Sequence, residues 1–528
     1  MPDFDLVIKG CLVVDGTGEP GRKADVGIVG DSIEAVGPLG DVSCKSVIDG
    51  TGKVLSPGFI DTHSHSDLLV LAEPAIAPKI MQGITTEVIG QDGMSLAPVK
   101  QEYIPAWKKS MAGLEGDYPI DWDWRTVKEY LDRIDSMDLG PNIVFLAPHG
   151  NIRLCVMGLD NRAPADDEMR QMENLLDKCL AEGARGMSTG IIYPPCCYAD
   201  TGEFVNFGHV LKANGVPMVL HQRNESDKIL ESVEEVLTIA RESGCHVHFS
   251  HLKVAGSRNW HKVDAVIDKL DRSGEMGLDV SFDQYPYTAG STMLAVILPP
   301  WAHEGGSEQL LERLKDPKLR DKMKKDILDG IPGWDNHVRA SGLDNIFITF
   351  VKTGRNQGAI GKSLTELGDM TGKHPLDAAF DLLVEEENTV GSVRFYGREE
   401  DIIRIMKHPF HNVCTDGIMG DKPHPRLYGT CPRILGRYVR GKQELSLETA
   451  IYKMTGKPAG VLGIKDRGYI KPGFKADIVV FDPDTIIDTG DYENPISYPI
   501  GIDYVLVNGK IAVSQGRIGS GRAGRVLR

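Results

Sequence analysis

Short apolar runs alternate with amphipathic helical segments through the middle of the chain, and this alternation constrains the fold most. The helical segments Ala165–Glu182 and Asp227–Ser243 each separate two successive runs. The runs are Ile143–Ala147, Gly183–Ser188, Pro217–His221, His246–His251 and Leu278–Asp283. Repeated β–α units imply parallel strands, so the sequence predicts an α/β fold, either a doubly wound sheet or a (β/α)8 barrel. About eight strand candidates between residues 58 and 420 favour the TIM-like barrel.

Further short strand candidates lie at both ends of the chain. They are Phe4–Lys9, Leu12–Asp15, Asp25–Val29, Ser32–Val36 and Ser46–Asp49, then Asp477–Phe481, Ile502–Val507 and Lys510–Val513. We therefore expect a small β-sandwich domain formed from both termini, residues 1–57 plus 457–528, and a barrel over residues 58–456. That span exceeds the roughly 250 residues of a plain barrel. The surplus is expected in a loop near residues 100–125 and in an insertion near 300–345, where a helix over Gln309–Leu328 belongs to a lid.

The bulk composition narrows the range of partners. A net charge of −16 repels nucleic acid and anionic membranes, so neither is an expected partner. The sequence has no apolar run of about eighteen residues, and its start lacks the basic and apolar regions of a secretory signal. The nine cysteines are scattered and odd in number, which indicates free thiols in a reducing cytoplasm. A homo-oligomer is compatible with these features.

Two histidines spaced i, i+2 follow an apolar run that begins at Val54. On a strand, this spacing directs both His63 and His65 to one face, an arrangement that suits a divalent metal and zinc above all. His221 and His251 each close a strand-like run and lie thirty residues apart, close to one β–α unit. Adjacent strands would present these two imidazoles at the same rim.

Strand alternation also predicts which way the histidines near residue 250 face. His251 shares parity with Val247 and Phe249, which are expected to point into the barrel. His246 and His248 have the opposite parity, so we expect them to face the outer helices and to have a structural role.

Two aspartates follow apolar runs. Asp416 comes after the run that ends at Thr415, where a carboxylate can act as a general base on a metal-activated water. Asp92 follows Thr86–Ile89 and could complete one metal site or bridge two. Both aspartates precede glycine, a pairing that is also typical of an ordinary turn.

Several long runs together resemble the amidohydrolase superfamily over essentially the whole chain. Pro57–His65 is similar to its metal motif on the first strand, and Lys471–Val480 to its signature for the return to the β-sandwich. Three further runs resemble the D-aminoacylases, the N-acyl-D-amino-acid deacylases, within that superfamily. They are Met187–Tyr193, Tyr285–Thr292 and His424–Thr430.

The resemblance implies zinc-dependent hydrolysis of a small-molecule N-acyl-D-amino acid to a D-amino acid and a carboxylate. It implies that His221 and His251 hold a tightly bound zinc and that His63 and His65 form a second, weaker metal position. Asp416 would take the proton of the attacking water and pass it to the leaving amine. The residues that would bind the substrate carboxylate and the oxyanion are Lys253, Tyr285, Ser291 and Arg426. Tyr193 is a further candidate for the substrate pocket.

One position departs from the family pattern. Many D-aminoacylases have a metal-binding cysteine in an Asn-Cys-Gly run, where this chain has Gln91, Asp92 and Gly93. A carboxylate binds zinc at a similar reach, although it is a harder ligand than a thiolate. We therefore include Asp92 among the metal ligands and expect Cys196 and Cys197 to be structural.

Two alternatives remain open at this point. A cyclic-amide hydrolase of the hydantoinase or dihydroorotase type shares the fold and metal motif, but it usually bridges two metals with a carboxylated lysine on strand 4. The corresponding run Gly183–Gly190 has no lysine, although Asp92 could serve as the bridge instead. A scaffold without catalytic activity should lack ligands, whereas all four histidines and Asp416 are present.

Overall fold

The computed structural model describes residues 4–528. Its first strands are β1 (Phe4–Val13), β2 (Arg22–Val29), β3 (Ser32–Gly37), β4 (Cys44–Asp49), β5 (Val54–Pro57), β6 (Phe59–Asp61) and β7 (Ile84–Ile89). The next are β8 (Asn142–Phe145), β9 (Ala147–Pro148), β10 (Met187–Gly190), β11 (Met218–His221), β12 (Val247–Phe249), β13 (Val280–Gln284) and β14 (Ala289–Met293). The last are β15 (Ile346–Val351), β16 (Val390–Phe395), β17 (His411–Val413), β18 (Ile478–Phe481), β19 (Ile502–Val507), β20 (Lys510–Ser514) and β21 (Arg517–Ile518).

The α-helices are numbered in the same way. The first nine are α1 (Leu69–Ala72), α2 (Ala77–Ile80), α3 (Ile104–Glu115), α4 (Val127–Asp135), α5 (His149–Met157), α6 (Asp166–Ala181), α7 (Thr201–Asn214), α8 (Ile229–Ser243) and α9 (Val263–Glu275). The next are α10 (Ser307–Lys315), α11 (Pro317–Asp329), α12 (His337–Ser341), α13 (Leu364–Thr371), α14 (Pro375–Glu385), α15 (Glu399–Met406), α16 (Arg426–Arg433), α17 (Leu447–Met454) and α18 (Gly456–Val461). No helix within residues 4–528 is both long enough and apolar enough to cross a membrane.

Strands from both ends of the chain form one sheet. Its order is β21-β20-β19-β18-β5-β1-β2-β3, and β4 pairs with β1. The two ends meet where β5 runs antiparallel to β18, with Pro57 opposite Ile478. The strand candidates at both ends of the sequence are therefore partners, although β1 is continuous where two short strands are predicted. A shift in register between Ile8 and Cys11 lets β1 pass Gly10, whose φ is 74°.

The middle of the chain supplies parallel strands. One set is ordered β6-β7-β8 and the other β17-β13-β12-β11-β10-β9, with every pair parallel. Only Leu146 separates β8 from β9, and a parallel bridge between Ser64 and Gly417 joins the chain just after β6 to the chain just after β17. The predicted α/β fold class, with parallel strands and intervening helices, is confirmed.

The predicted orientation of β12 is wrong. Val247 and Phe249 belong to the hydrophobic core that contains the apolar faces of α8 and α9, so they point outwards from the parallel strands. His248 points the other way, because its Nε2 lies 3.0 Å from Oδ2 of Asp283. The same Asp283 oxygen accepts a hydrogen bond of 2.6 Å from Thr62, next to β6. His248 therefore faces inwards across the strands.

His246 faces the same way as His248, since both rings lie 2.7 Å from the hydroxyl of Ser281. His251 lies beyond the end of β12 and has a φ of 36°. Alternation along a strand holds only for extended backbone, so the parity argument does not extend to His251.

Residues 289–395 contain an antiparallel sheet of order β14-β16-β15 with its own hydrophobic core. The single helix predicted over Gln309–Leu328 is two helices, α10 and α11. Asp316 separates them, because its side chain accepts hydrogen bonds from the backbone N–H groups of Lys318 and Leu319 and begins a new helix. The segment near residues 100–125 is likewise not only loop, since it contains α3.

Candidate metal and catalytic centre

The candidate site residues converge at the carboxyl ends of the parallel strands. His221 ends β11. The other five candidate residues follow β6, β7, β12 and β17 within four residues, and they are His63, His65, Asp92, His251 and Asp416. Three of them, Asp92, His251 and Asp416, have φ values of 56°, 36° and 47°. Side chains seldom occupy this left-handed region, and such residues cluster at functional sites. Here the conformation turns each side chain away from its strand direction and towards the shared centre.

His63 and His65 form the first pair of histidines, and both lie close to the carboxylate of Asp92. Nε2 of His63 and Nε2 of His65 lie 3.3 Å apart. Each lies 3.7 Å from an oxygen of Asp92, His63 from Oδ1 and His65 from Oδ2. All three side chains are buried, and their ligand atoms can approach one ion together. The predicted pairing of the i, i+2 histidines at a strand end is therefore present.

The second pair of histidines shares the same aspartate. Nδ1 of His221 and Nε2 of His251 lie 3.0 Å apart. His251 Nε2 lies 3.9 Å from Oδ1 of Asp92, and these three residues form a second group of possible metal ligands. The Asp92 carboxylate thus lies between the two pairs, in a position to bridge two ions. Cys196 belongs to neither group of ligands found within residues 4–528.

Asp416 adjoins the first pair. Its Oδ1 lies 3.3 Å from Nε2 of His65 and 3.8 Å from Nε2 of His63. Its Oδ2 lies 2.9 Å from Nη1 of the fully buried Arg426. The backbone N–H of Asp416 donates to the carbonyl of His63 at 2.9 Å, which fixes the two strand ends against each other. One carboxylate oxygen is therefore held by Arg426 while the other faces the metal-ligand groups.

A buried network supports the strand ends beneath the site. Nζ of Lys79 donates to Oδ2 of Asp61 at 2.5 Å and to the hydroxyl of Thr415 at 2.6 Å. Oδ1 of Asp61 accepts from the backbone N–H of Thr415 at 2.7 Å. Asp283 makes a second link, since it accepts from Thr62 at 2.6 Å and from the backbone N–H of His251 at 2.5 Å. These bonds hold the backbone next to both histidine pairs.

Electrostatics favours neutral histidines at two positions and a cation at a third. Burial lowers the pKa values of His63 and His221 well below the usual range, so both imidazoles are neutral, the form that binds metal. Burial also acts to lower the pKa of His65, but Asp416 and Glu115 outweigh it and raise that pKa to about 10. The surroundings of His65 therefore stabilise positive charge.

The two aspartates have opposite shifts. Burial raises the pKa of Asp92 to about 6. Burial acts in the same direction on Asp416, but the Arg426 guanidinium and the neighbouring histidines hold the pKa of Asp416 well below its usual range. Asp416 is therefore ionised at neutral pH and can accept a proton.

Four of the five residues predicted to bind substrate line one cavity together with His65, Asp92, His221, His251 and Asp416, whereas Arg426 and His63 do not line it. The predicted residues on its wall are Tyr193, Lys253, Tyr285 and Ser291. Arg426 contacts the wall from behind, since its guanidinium carbon lies 4.3 Å from the ring centre of Tyr285 and its Nη2 donates to the carbonyl of Ser291 at 3.0 Å. Nζ of Lys253 donates to Oε1 of Glu225 at 2.6 Å.

Five residues near the site were not among the sequence candidates. They are Lys79, Glu115, Glu225, Asp283 and Arg394. A signal existed for Asp283, which ends a predicted strand, and for Glu225, which follows His221 by four residues. Glu115 and Arg394 come from α3 and β16, outside the parallel strands, and no local pattern marks them.

Comparison with known proteins gives consistent results. The model of the "Amidohydrolase family" matches residues 46–327 and 358–513. The N-acyl-D-glutamate deacylase of Alcaligenes xylosoxydans xylosoxydans is 36% identical over 526 residues, which cover 99% of this chain and 96% of that protein.

Two solved structures are similar along their whole length. The crystal structure of N-acyl-D-glutamate deacylase from Bordetella bronchiseptica, complexed with zinc and a phosphonate mimic of the tetrahedral intermediate, has a TM-score of 0.85 and 34% identity and covers 100% of both chains. A D-aminoacylase structure concerned with a binuclear metal centre has a TM-score of 0.84 and 35% identity, covering 99% of this chain and 100% of that one.

Proposed function

The chain belongs to the amidohydrolase family, among the D-aminoacylases, and from that premise we propose that it hydrolyses N-acyl-D-amino acids to a D-amino acid and a carboxylate with the help of bound zinc. The observation that carries the proposal is the position of Asp92. Its carboxylate lies within 3.9 Å of one nitrogen from each histidine pair, next to a buried, ionised Asp416. The similar proteins support both the reaction and the metal, since they are deacylases of N-acyl-D-amino acids and one of the solved structures contains zinc.

The donor atoms fit zinc. Imidazole nitrogen and carboxylate oxygen are common zinc ligands, and in each pair one nitrogen of each histidine lies about 3 Å from the other. Oδ1 of Asp92 is buried without any hydrogen-bond partner. Buried polar atoms are rarely left unpaired, so this atom fits a ligand role. We propose that His221, His251 and Asp92 hold a tightly bound zinc, and that His63 and His65 share Asp92 at a weaker second position.

Zinc bound at this position would polarise the amide carbonyl and lower the pKa of the attacking water to roughly 7. Asp416 is the proposed general base. Arg426 holds its Oδ2, so Oδ1 is the atom that accepts the proton of the water and later donates it to the departing nitrogen. A single positioned carboxylate can serve both steps, because the proton that it takes from the water leaves with the amine product and the carboxylate is ionised again.

Substrate binding is assigned to the wall of the cavity. We propose that Tyr285, Ser291 and Lys253 contact the substrate carboxylate and the developing oxyanion, and that Tyr193 packs against the substrate. Arg426, which the sequence also predicts to bind the substrate, does not line the cavity, and we propose instead that it holds Asp416 and the Ser291 carbonyl in place. The cavity adjoins both groups of metal ligands, where we propose that a small N-acylated amino acid binds.

The proposed architecture is a (β/α)8 barrel with a β-sandwich domain from both termini. Support for closure comes from the order of parallel strands, β6-β7-β8 continuing through β9-β10-β11-β12-β13-β17, and from the bridge between Ser64 and Gly417. The proposed domains are residues 1–57 plus 457–528 and residues 58–456, with the insertion near 300–345 beside the site.

A cyclic-amide hydrolase is the less supported alternative. The bridging lysine of that class would lie on β10, whose residues are Met187, Ser188, Thr189 and Gly190.

The test is turnover of N-acetyl-D- and N-acetyl-L-amino acids by zinc-loaded protein, with hydantoin and dihydroorotate in parallel. We expect hydrolysis of D-substrates, with L-enantiomers at matched concentration as the control. Turnover of the cyclic amides alone would replace the proposed substrate class, and equal turnover of both enantiomers would refute D-selectivity.

A further inference from the structure

Three buried or half-buried cations surround the cavity, and two of them already have an acid. Lys253 lies 2.6 Å from Glu225, and Arg426 lies 2.9 Å from Asp416. Their charges are therefore compensated within the protein before any substrate binds.

Arg394 is the exception. Its side chain lines the same cavity, and the residue is only 7% exposed. No carboxylate within residues 4–528 lies within 4.0 Å of its guanidinium, and its Nε has no hydrogen-bond partner. A buried charge without a partner is costly, so its retention at a cavity wall indicates an anion that arrives from outside. Arginine suits a carboxylate in particular, because its planar fork can bind both oxygens.

Arg394 lies on β16, the central strand of the antiparallel sheet, opposite Gly290 of β14 and Ile346 of β15. The nearby Asp335 carboxylate is already engaged, since it accepts from the backbone N–H of Glu225 at 2.9 Å. The hydroxyl groups of Tyr285 and Tyr396 occupy the space beside Gly290, so the neighbours on that side of Arg394 are neutral.

A second cavity of about 660 Å³ adjoins this wall. Tyr193 lines both cavities, and His337 lines the second. Burial and, after it, the charge of Arg394 lower the pKa of His337.

We propose that Arg394 binds the side-chain carboxylate of the substrate, so that the preferred substrates are N-acyl derivatives of an acidic D-amino acid, D-glutamate or D-aspartate. The inference rests on the proposed function. The α-carboxylate, which every N-acyl-amino acid has, is assigned to Lys253, Tyr285 and Ser291, as proposed above. Arg394 then contacts the substrate itself and determines specificity without taking part in proton transfer.

The wild-type zinc enzyme provides the first test. N-acetyl-D-glutamate and N-acetyl-D-glutamine have the same shape and differ in one charge. A charge-assisted hydrogen bond predicts that kcat/KM is about 10- to 100-fold higher for N-acetyl-D-glutamate. Equal values, or a preference for N-acetyl-D-glutamine, would overturn the inference whatever any variant does.

The second test uses Arg394→Met and Arg394→Lys. We expect Arg394→Met to lower the ratio of kcat/KM for N-acetyl-D-glutamate over N-acetyl-D-glutamine by about 10- to 100-fold, chiefly through KM, and Arg394→Lys to keep part of it. Turnover of N-acetyl-D-glutamine reports that each variant is folded and metal-loaded. The exposed Arg404, changed to Met, is the matched control and should leave the ratio unchanged.

A parallel loss on both substrates would contradict the inference, because it would assign Arg394 to the α-carboxylate or to the fold. The outcomes also separate the two proposals. Failure of the metal-loaded wild type on every N-acetyl-D-amino acid would refute the proposed function, whereas turnover of neutral D-substrates in preference to acidic ones would refute only the role of Arg394.

Discussion

The two histidine pairs contain the same chemical groups but differ in how the chain brings them together. His63 and His65 follow a single strand and are two residues apart, so their proximity is local. His221 and His251 lie thirty residues apart and meet because β11 pairs with β12 in parallel register. A local pattern is enough to identify the first pair, whereas the second depends on strand order.

The pairs also differ in their electrostatic surroundings. The first pair contacts the carboxylate of Asp416 at 3.3 Å, which Arg426 compensates at 2.9 Å, and that of Glu115 at 3.5 Å, which has no lysine or arginine within 4.0 Å in residues 4–528. The second pair contacts Glu225, whose charge is compensated by Lys253 at 2.6 Å. The two carboxylates beside the first pair outweigh burial and raise the pKa of His65 to about 10, whereas burial lowers the pKa of His221 well below its usual range.

The largest expected effect concerns Asp416, which touches only the first pair. Asp416→Asn should lower kcat by about 1,000-fold, since a positioned acid–base group contributes about 100- to 10,000-fold. Zinc content should stay at the wild-type level, because both groups of ligands remain complete. The measurements are kcat and zinc per chain by mass spectrometry. The exposed Asp421, changed to Asn, is the control, and normal turnover by Asp416→Asn would exclude it as the base.

The next prediction distinguishes the contributions of the two histidine pairs to zinc binding. His251→Ala should lose the tightly bound zinc on dialysis against a chelator, and turnover should fall by about 100-fold or more, because one of three ligands is missing. His63→Ala should keep close to one zinc per chain and lose less activity. Equal zinc loss in both variants would mean that the pairs form a single site.

Substitutions of Asp92 test the carboxylate that the two histidine pairs share. Asp92→Asn should weaken zinc binding by about 10-fold or more, because a neutral amide is a poorer ligand than a carboxylate. Asp92→Cys should restore binding, since a thiolate is a zinc ligand of similar reach. Competition titration with a chromophoric chelator measures both affinities. Unchanged affinity in Asp92→Asn would show that the carboxylate does not bind metal.

The smallest effect concerns the support shared by the two pairs. Asp283 accepts from Thr62, beside the first pair, and from the backbone of His251 in the second. Asp283→Asn should lower the free energy of unfolding by about 2–3 kcal/mol, because buried donors lose a charged acceptor. Urea denaturation of zinc-loaded protein measures the difference, with the exposed Asp268→Asn as control.

The same variant has a predicted pH dependence. Burial acts to raise the pKa of Asp283, but His248 and the hydrogen bond from Thr62 outweigh it and hold the pKa below the ordinary value of 3.8. A depressed carboxyl pKa stabilises the folded state fully above the unfolded value and less as the pH falls through the folded value. The stability difference between wild type and Asp283→Asn should therefore shrink below about pH 4. A difference that grows on acidification would contradict this assignment.

Much of the site could be predicted from the sequence because its residues close strand-like runs. His63, His65, His221, His251 and Asp416 all converge, and the long motifs correctly indicated the family. The orientation of His248 could not be predicted, because both faces of β12 are buried. Without a polar face there is no alternation of hydrophobicity to tell inside from outside.

Residues from outside the parallel strands were also beyond prediction. Glu115 reaches His65 from α3, and Arg394 enters the cavity from an antiparallel strand. Neither has a local pattern, since a single charged residue in a helix or strand is usually solvated. Their roles depend on contacts between segments far apart in the chain.

The sequence by itself determined the succession of strands and helices, the six candidate residues for metal binding and proton transfer, and the family, because periodicity and motifs are local properties. Only the tertiary structure decided which charges compensate one another. Lys253 and Arg426 have acids within 3 Å, whereas Arg394 has none within 4.0 Å in residues 4–528. Charge pairing depends on distance in space, and distance in space follows from strand order and burial, neither of which can be read from neighbours along the chain.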